Sequence, residues 1–276
     1  MKIATVRTAG GTRAARLDDD GYVLLDAPDV GALLERRGWA DAAAATSGEV
    51  LDPAETTLAP VVPRPRKILC VGLNYRKHIL EMGRDLPEHP TLFAKFAEAL
   101  IGPTDDIQLA PESSAVDWEA ELALVIGRTV RRATEREAAD AIAGFTVMND
   151  ITMRDWQFRT REWLQGKTFE GTTPLGPVLV TPDELPGGVR PTLTLSCRVN
   201  GEETQNAVTS DLVFDPVDLV RYASTIITLR PGDVLATGTP GGVGHARKPP
   251  RYLADGDTVV TEIEGIGRLE NTGRTP

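Results

Sequence analysis

Two glutamates stand two residues apart at the start of an apolar segment of this 276-residue chain. Glu119 and Glu121 lie in the sequence DWEAELALVIG, and side chains two apart in a strand project from the same face. Two carboxylates that converge beside buried residues repel each other, whereas a bound dication removes that cost. An isolated Glu-x-Glu pair is more often the wet face of an ordinary strand, so the pattern alone leaves both interpretations open.

A third carboxylate follows the apolar run AGFTV. Asp150 lies in MNDITMRDWQ, at the predicted end of a strand, although a single aspartate in such a place is more often a turn or helix-capping residue. Three carboxylates with open positions suit a hard ion such as Mg²⁺ or Mn²⁺, with Ca²⁺ as a third option. Zinc is less favoured because no histidine or cysteine accompanies them in the sequence.

A histidine and a glutamate lie three residues apart in GLNYRKHILE. On a helical turn His78 and Glu81 share one face, and a carboxylate beside an imidazole raises its basicity. A surface pair without function is the more frequent reason for such spacing. Of the three histidines, His89 and His245 lie in predicted loops. His78 is therefore the candidate general base.

Prolines divide the chain near residue 62. Pro60, Pro63 and Pro65 form a stiff, extended connector. Before it, short strand-like runs are followed by a helical stretch from Val30 to Ala45. The predicted strands of this part are Lys2–Arg7, Thr12–Leu17 and Tyr22–Leu25. We predict a small N-terminal α+β domain, residues 1–62, and a larger domain, residues 63–276.

The larger domain mixes strands and helices without regular alternation. Thr134 and Glu137 form a capping box for a helix that extends to Ala143, and Asp215 caps a second helix that extends to Ile227. The predicted strands are Lys67–Gly72, Leu122–Ile126, Leu193–Val199, Val234–Thr237 and Thr258–Ile263. Irregular order disfavours a parallel doubly wound sheet, and we predict a β-rich α+β fold.

The composition limits the class of protein. A net charge of −10 argues against a nucleic-acid binder, which needs clustered Lys and Arg. Cys70 and Cys197 are too few for a disulfide framework, and we expect buried free thiols. No apolar run approaches the ~18 residues of a membrane span, and no apolar signal segment is present. The expected location is the cytoplasm.

Seven motifs in order resemble the fumarylacetoacetate hydrolase family over most of residues 66–276. They are VGLNYRKHILE, LFAKFAEALIGP, DWEAELALVIG, MNDITMRDWQ, GKTFEGTTPLGP, LRPGDVLATGTPGGVG and LADGDTVVTEIEGIGRLEN. The resemblance implies a mixed β-sheet roll or barrel as the catalytic domain, and commonly a homodimer. It points to the branch that contains acylpyruvate hydrolases, oxaloacetate decarboxylases and 2-hydroxyhepta-2,4-diene-1,7-dioate isomerases.

The resemblance also implies roles for the residues above. Glu119, Glu121 and Asp150 match the metal ligands of the family. His78 and Glu81 match its catalytic dyad, which is carried on a segment that tends to close over the substrate. These implications favour the functional interpretation of each pattern over the structural one.

Five further residues match active-site positions of the family. Lys167 in GKTFE matches an active-site lysine, and Arg154 and Gln157 match positions that contact substrate in some members. Thr239 in TGTPGG matches a residue that touches the substrate carboxylate or carbonyl. Lys95 corresponds to a lysine near the pocket, although AKFAEAL replaces the proline-containing stretch common after it.

The implied substrate is a small 2-oxo or 1,3-dicarbonyl acid that chelates the metal, which then stabilises an enolate as a Lewis acid. In the favoured reaction, His78 and Glu81 activate a water that cleaves a C–C bond of an acylpyruvate. Decarboxylation or isomerisation of a 2-oxo dicarboxylic acid on the same site is the alternative. A binding protein without activity is the second alternative.

Overall fold

The computed structural model describes all 276 residues, and strands dominate them. In chain order the strands are β1 Lys2–Thr8, β2 Gly11–Asp18, β3 Gly21–Leu24, β4 Val50–Leu51, β5 Ile68–Gly72, β6 Thr91–Lys95, β7 Leu100–Ile101, β8 Ile107–Gln108, β9 Val116–Asp117, β10 Ala120–Ile126, β11 Ile142–Asn149, β12 Thr152–Met153, β13 Thr173–Val180, β14 Thr194–Val199, β15 Glu202–Val208, β16 Val234–Ala236, β17 Thr258–Ile263 and β18 Gly267–Arg274.

The helices between the strands are short. They are α1 Val30–Leu34, α2 Trp39–Ala45, α3 Arg76–Glu81, α4 Glu135–Ala141, α5 Arg154–Gln157, α6 Leu164–Lys167 and α7 Pro216–Ile226, with four single 3₁₀ turns. None of these helices has both the length and the apolar character that a membrane crossing needs.

The main sheet has eleven strands in the order β4-β3-β2-β1-β13-β11-β10-β16-β5-β6, with β7 paired to β13 beside this path. Most pairs are antiparallel, but β16 pairs with β5, and β7 with β13, in parallel. The predicted β-rich α+β fold with a mixed sheet is therefore confirmed. Every residue of the two central strands β10 and β11 is buried, which matches their apolar sequences.

A second sheet packs on one face of the main sheet. Its strand order is β15-β14-β17-β18-β8, and β14, β17 and β18 contact the central strands β10, β11 and β13. A cluster of 41 buried apolar residues fills the space between the two sheets. The opposite face of the main sheet holds a smaller cluster that α1 covers. The central strands are thus fixed from both sides, and the site described below lies at their ends.

The first strands of the chain join the main sheet directly. β1 pairs with β13 through Lys2↔Val180 and Ile3↔Leu179, so one sheet includes residues on both sides of position 62. The division into a domain of residues 1–62 and another of residues 63–276 stays a prediction.

The predicted helix boundaries differ from the observed ones where another element takes over. Thr134 and Glu137 form the predicted capping box, but α4 ends at Ala141 because β11 begins at the next residue. The stretch predicted as one helix from Val30 to Ala45 is two helices. Gly38 separates them with a φ of 71°, a left-handed conformation that no helix continues through.

Candidate active site

Three carboxylates meet where β10 and β11 lie side by side. Glu119 and Glu121 flank Ala120, which pairs with Asn149 across the two antiparallel strands. Asp150 follows Asn149, and its backbone N–H donates to the Glu119 carbonyl at 2.8 Å. One carboxylate oxygen from each of the three residues lies within 4.8 Å of the other two. Glu119, just before β10, and Glu121, within it, thus meet Asp150 in a buried acidic cluster.

Two of the three carboxylates are paired with buried cations. The Lys167 Nζ donates to Glu119 Oε2 at 2.7 Å and to Asp150 Oδ2 at 2.8 Å. The Lys95 Nζ donates to Asp150 Oδ1 at 2.6 Å, and an Arg154 amino group lies 2.7 Å from Glu119 Oε1. Burial opposes the charge on Asp150, but the two lysines outweigh it and hold the pKa of that carboxyl below its usual value.

Glu121 has no such partner, although it is only 1% exposed. Its Oε2 accepts one hydrogen bond, from the Gly238 N–H at 2.8 Å, and no Lys or Arg forms an ion pair with it. Burial, followed by the charges of Asp150 and Glu119, raises the pKa of Glu121 well above its usual value. A divalent cation between the three carboxylates would remove this unfavourable energy. Three converging oxygens fit a hard ion such as Mg²⁺ or Mn²⁺.

The glycine-rich segment TGTPGGVG brings its backbone against this cluster. Gly238 has a φ of 104°, and a Cβ there would lie 3.0 Å from both the Asn74 Cβ and the Val71 carbonyl oxygen. Only glycine permits this close approach, which aims the Gly238 N–H at Glu121. The Thr239 hydroxyl donates to the Ala120 carbonyl at 3.0 Å, so this segment is fixed to β10.

A cavity of about 380 Å³ lies beside the cluster, and Glu119 is the carboxylate of the cluster that lines it. Six of the ten predicted site residues line it: His78, Glu119, Arg154, Gln157, Lys167 and Thr239. Phe158 and Trp163 line it as well. A Cβ at Gly72 would lie 2.3 Å from the Trp163 ring, so glycine is required for this ring to sit where it does.

His78 and Glu81 lie on one face of α3, as predicted, but they do not form a hydrogen bond with each other. Both flank Gly241, where a Cβ would lie 3.2 Å from His78 Nδ1 and 3.5 Å from Glu81 Oε2. His78 lines the first cavity and also a second one of about 410 Å³, whereas Glu81 lines only the second. Burial lowers the pKa of His78, which outweighs the opposite effect of Glu81 and leaves the ring neutral near pH 7.

Arg154 and Gln157 act together at the cavity wall. The Arg154 Nε donates to Asp117 Oδ2 at 2.8 Å, and another of its nitrogens donates to Gln157 Oε1 at 2.9 Å. With the contact to Glu119, all three guanidinium nitrogens have a protein partner. The structure does not bring Lys95 to the cavity wall. Its ammonium group is buried behind Asp150, so a direct substrate contact by Lys95 has no support in this geometry.

Two residues that position the site were missed in the sequence. The buried Asp117 carboxylate accepts hydrogen bonds from the Gly244 and His245 N–H groups at 2.7 and 3.0 Å, besides that from Arg154. Gln205 Oε1 accepts from the Ala120 N–H at 3.0 Å, and its Nε2 donates to the Thr239 hydroxyl at 2.8 Å. Asp117 stands beside the Glu-x-Glu pair and was open to prediction, whereas Gln205, in EETQNAV, carried no signal.

A mixed-sheet fold that brings an acidic cluster, paired cations and a neutral histidine to one cavity defines an enzyme with a candidate metal site. A family model described as "Fumarylacetoacetate (FAA) hydrolase C-terminal" matches residues 67–273, and the chain belongs to this family. The resemblance that the motifs indicated is therefore confirmed.

Curated relatives include an oxaloacetate tautomerase, Fahd2a, of Rattus norvegicus. The chain is 48% identical to it over 217 residues, which are 78% of this chain and 68% of the relative. Among solved structures, a putative HpcE protein from Mycobacterium smegmatis is 36% identical with a TM-score of 0.90, covering 100% of this chain and 99% of the other. A fumarylpyruvate hydrolase from Pseudomonas aeruginosa, solved with Mn²⁺ and pyruvate, is 29% identical with a TM-score of 0.68, covering 77% and 91%.

The predicted cytoplasmic location is wrong by these comparisons. The relatives from rat, cattle and human are all named as mitochondrial proteins. The prediction rested on the lack of an apolar signal segment, but mitochondrial targeting segments are amphipathic and need no such segment. An absent apolar run therefore could not distinguish the two compartments.

Proposed function

We propose that this protein is a divalent-metal-dependent enzyme that interconverts the keto and enol forms of a small 2-oxo dicarboxylic acid. The first candidate substrate is oxaloacetate, since it is named for a relative that is 48% identical over 78% of the chain. The observation that carries the proposal is a neutral His78 in a cavity that is also lined by two buried cations and by Glu119 of the acidic cluster. Tautomerisation needs only a base and a stabilised oxyanion, and this cavity supplies both.

The acidic cluster would hold the cation through Glu119, Glu121 and Asp150. A bound Mg²⁺ or Mn²⁺ would supply Lewis-acid stabilisation to the oxygen that becomes negative. Lys167 and Arg154 would also stabilise the oxygen that becomes negative. Their charges lie within 2.8 Å of carboxylates in this cluster, which hold them rigidly. Such fixed charges require no rearrangement during the reaction.

His78 would move the proton. Its neutral ring accepts the proton from C3 of the substrate, the electrons of that C–H bond form the C2=C3 double bond, and the C2 carbonyl oxygen becomes negative. This oxygen then takes a proton from solvent to complete the enol. His78 returns its own proton to solvent through the second cavity, which it shares with Glu81. The step consumes no water and releases no fragment.

The test follows the decay of enol oxaloacetate by its ultraviolet absorbance with Mg²⁺ present, after subtraction of the uncatalysed rate. We expect His78→Ala to lower turnover by about 10²-fold or more, as for a lost general base. The matched control is His89→Ala, because His89 is exposed and lines a different cavity. Unchanged turnover in His78→Ala, or no acceleration by the wild-type protein, would rule out this proposal.

Hydrolytic C–C cleavage of an acylpyruvate, which the sequence favoured, is the second candidate. Its support is the apolar part of the cavity wall, including Phe93, Phe158 and Trp163, which extends beyond what a four-carbon acid fills. Incubation of acylpyruvates with the enzyme and Mg²⁺ would release pyruvate and a second acid. A decarboxylase would instead release CO₂ from oxaloacetate, so product identification distinguishes all three reactions.

A further inference from the structure

Three cationic side chains line the main cavity, and two of them are paired with carboxylates of the protein. Arg154 uses its Nε and both terminal nitrogens on Asp117, Gln157 and Glu119. Lys167 donates to Glu119 and, beyond it, to Asp150. Both residues are almost completely buried at the closed end of the cavity. Both are thus held at the acidic cluster by the side chains that they pair with.

Arg84 is the third cation, and it differs from the other two in its exposure and in its lack of partners. It lines the same cavity but is exposed, and unlike Arg154 and Lys167 it forms neither an ion pair nor a side-chain hydrogen bond. Gly83, with a φ of 68°, turns the chain after α3, and the Arg84 N–H then donates to the Ile79 carbonyl at 3.2 Å. The turn thus directs Arg84 to the mouth of the cavity with all five of its N–H donors available.

We propose that Arg84 binds the second carboxylate of a dianionic substrate and so selects dicarboxylic over monocarboxylic 2-oxo acids. The inference rests on the proposed function only in taking this cavity as the substrate site. A 2-oxo acid whose first carboxylate and carbonyl approach the acidic cluster extends its other end towards the mouth. A planar guanidinium can donate two parallel hydrogen bonds to one carboxylate, whereas a methyl group accepts none.

The test compares two ligands that differ only at this end. Oxaloacetate and 2-oxobutanoate share the 2-oxo acid group, and the distal carboxylate of the first is a methyl group in the second. Their dissociation constants are measured by calorimetry with Mg²⁺ present, for the wild-type protein and for Arg84→Gln. We expect Arg84→Gln to weaken oxaloacetate by about tenfold, the loss of one charge-assisted contact, and to change 2-oxobutanoate by less than about twofold.

Arg76→Gln is the matched control. Arg76 begins α3, the helix that precedes Arg84, and it is exposed and lines neither cavity, so this variant removes the same charge without touching the ligand. Arg84→Lys keeps the charge but not the fork, and we expect an intermediate affinity. Equal losses in Arg76→Gln and Arg84→Gln, or equal losses for both ligands, would overturn the inference. Because binding is measured, a protein that binds with this preference but fails to tautomerise oxaloacetate would refute only the proposed reaction.

Discussion

Replacing Glu121 with glutamine tests whether the acidic cluster is built for a divalent cation. Glu121 is the one carboxylate of the three without an ion pair, and it is buried at 1% exposure. Glutamine keeps the volume of the side chain and an oxygen that accepts from the Gly238 N–H. The change therefore removes the charge and leaves the local packing as it is. The substitution should raise the melting temperature of the metal-free protein and should reduce the further rise that the metal causes.

The expected magnitudes follow from linkage. A cation at 100 times its dissociation constant stabilises the native state by about 2.7 kcal/mol, which for a chain of this size raises the melting temperature by about 5 °C. Without metal, the unpaired Glu121 carboxylate costs about 1–3 kcal/mol of stability. Glu121→Gln should therefore melt a few degrees above the wild-type protein in EDTA, and it should lose most of the metal-dependent rise.

Differential scanning calorimetry in EDTA, Mg²⁺ and Mn²⁺ measures both effects. Glu264→Gln is the control, because Glu264 is exposed and has no ion pair, so the same chemical change should alter neither value. A wild-type protein whose melting temperature ignores both ions would refute the reasoning. So would a Glu121→Gln variant that retains the full rise.

Two further predictions concern His78. Burial lowers the pKa of His78 below 6.5, so kcat/KM measured with saturating Mg²⁺ should fall on acidification with a midpoint below pH 6.5. Below this midpoint the ring carries a proton and can accept none from the substrate. A midpoint above pH 6.5 would contradict the assignment. Gly241→Ala should lower turnover by about tenfold, because its Cβ would lie 3.2 Å from His78 Nδ1 and displace the ring. The metal-dependent rise in melting temperature should stay unchanged in this variant, and turnover equal to the wild type would show that the ring position does not matter.

The local features of the fold could be predicted from the sequence where one residue type determines them. The capping box of Thr134 and Glu137 and the Asp215 cap place the starts of α4 and α7 correctly. The pairing of β1 with β13 could not be predicted, since Ile3 and Leu179 are far apart in the chain and neither sequence specifies its partner. Glycine is a common helix end, but the apolar pattern continues on both sides of Gly38, so the sequence predicted one helix where the structure has two.

The sequence predicted which residues form the site better than it predicted the contacts between them. The spacing of two residues predicted that Glu119 and Glu121 lie together, while the addition of Asp150 depended on the resemblance and on a strand pairing that the sequence does not reveal. Nothing in the sequence indicated that Lys167 would be held by two of these carboxylates, because ion-pair geometry depends on the packing of distant segments. The same reason explains why Lys95 lies behind the cluster.

The antiparallel seam between β1 and β13 has a consequence for any shortened form of this protein. A polypeptide trimmed to residues 67–273 would lack the first four strands, and β13 would become an edge strand of the main sheet. The backbone groups of Leu179 and Val180 that now face Ile3 and Lys2 would then be open to strands of other molecules. Uncovered borders of this kind promote aggregation, so the amino-terminal segment also serves the solubility of the whole chain.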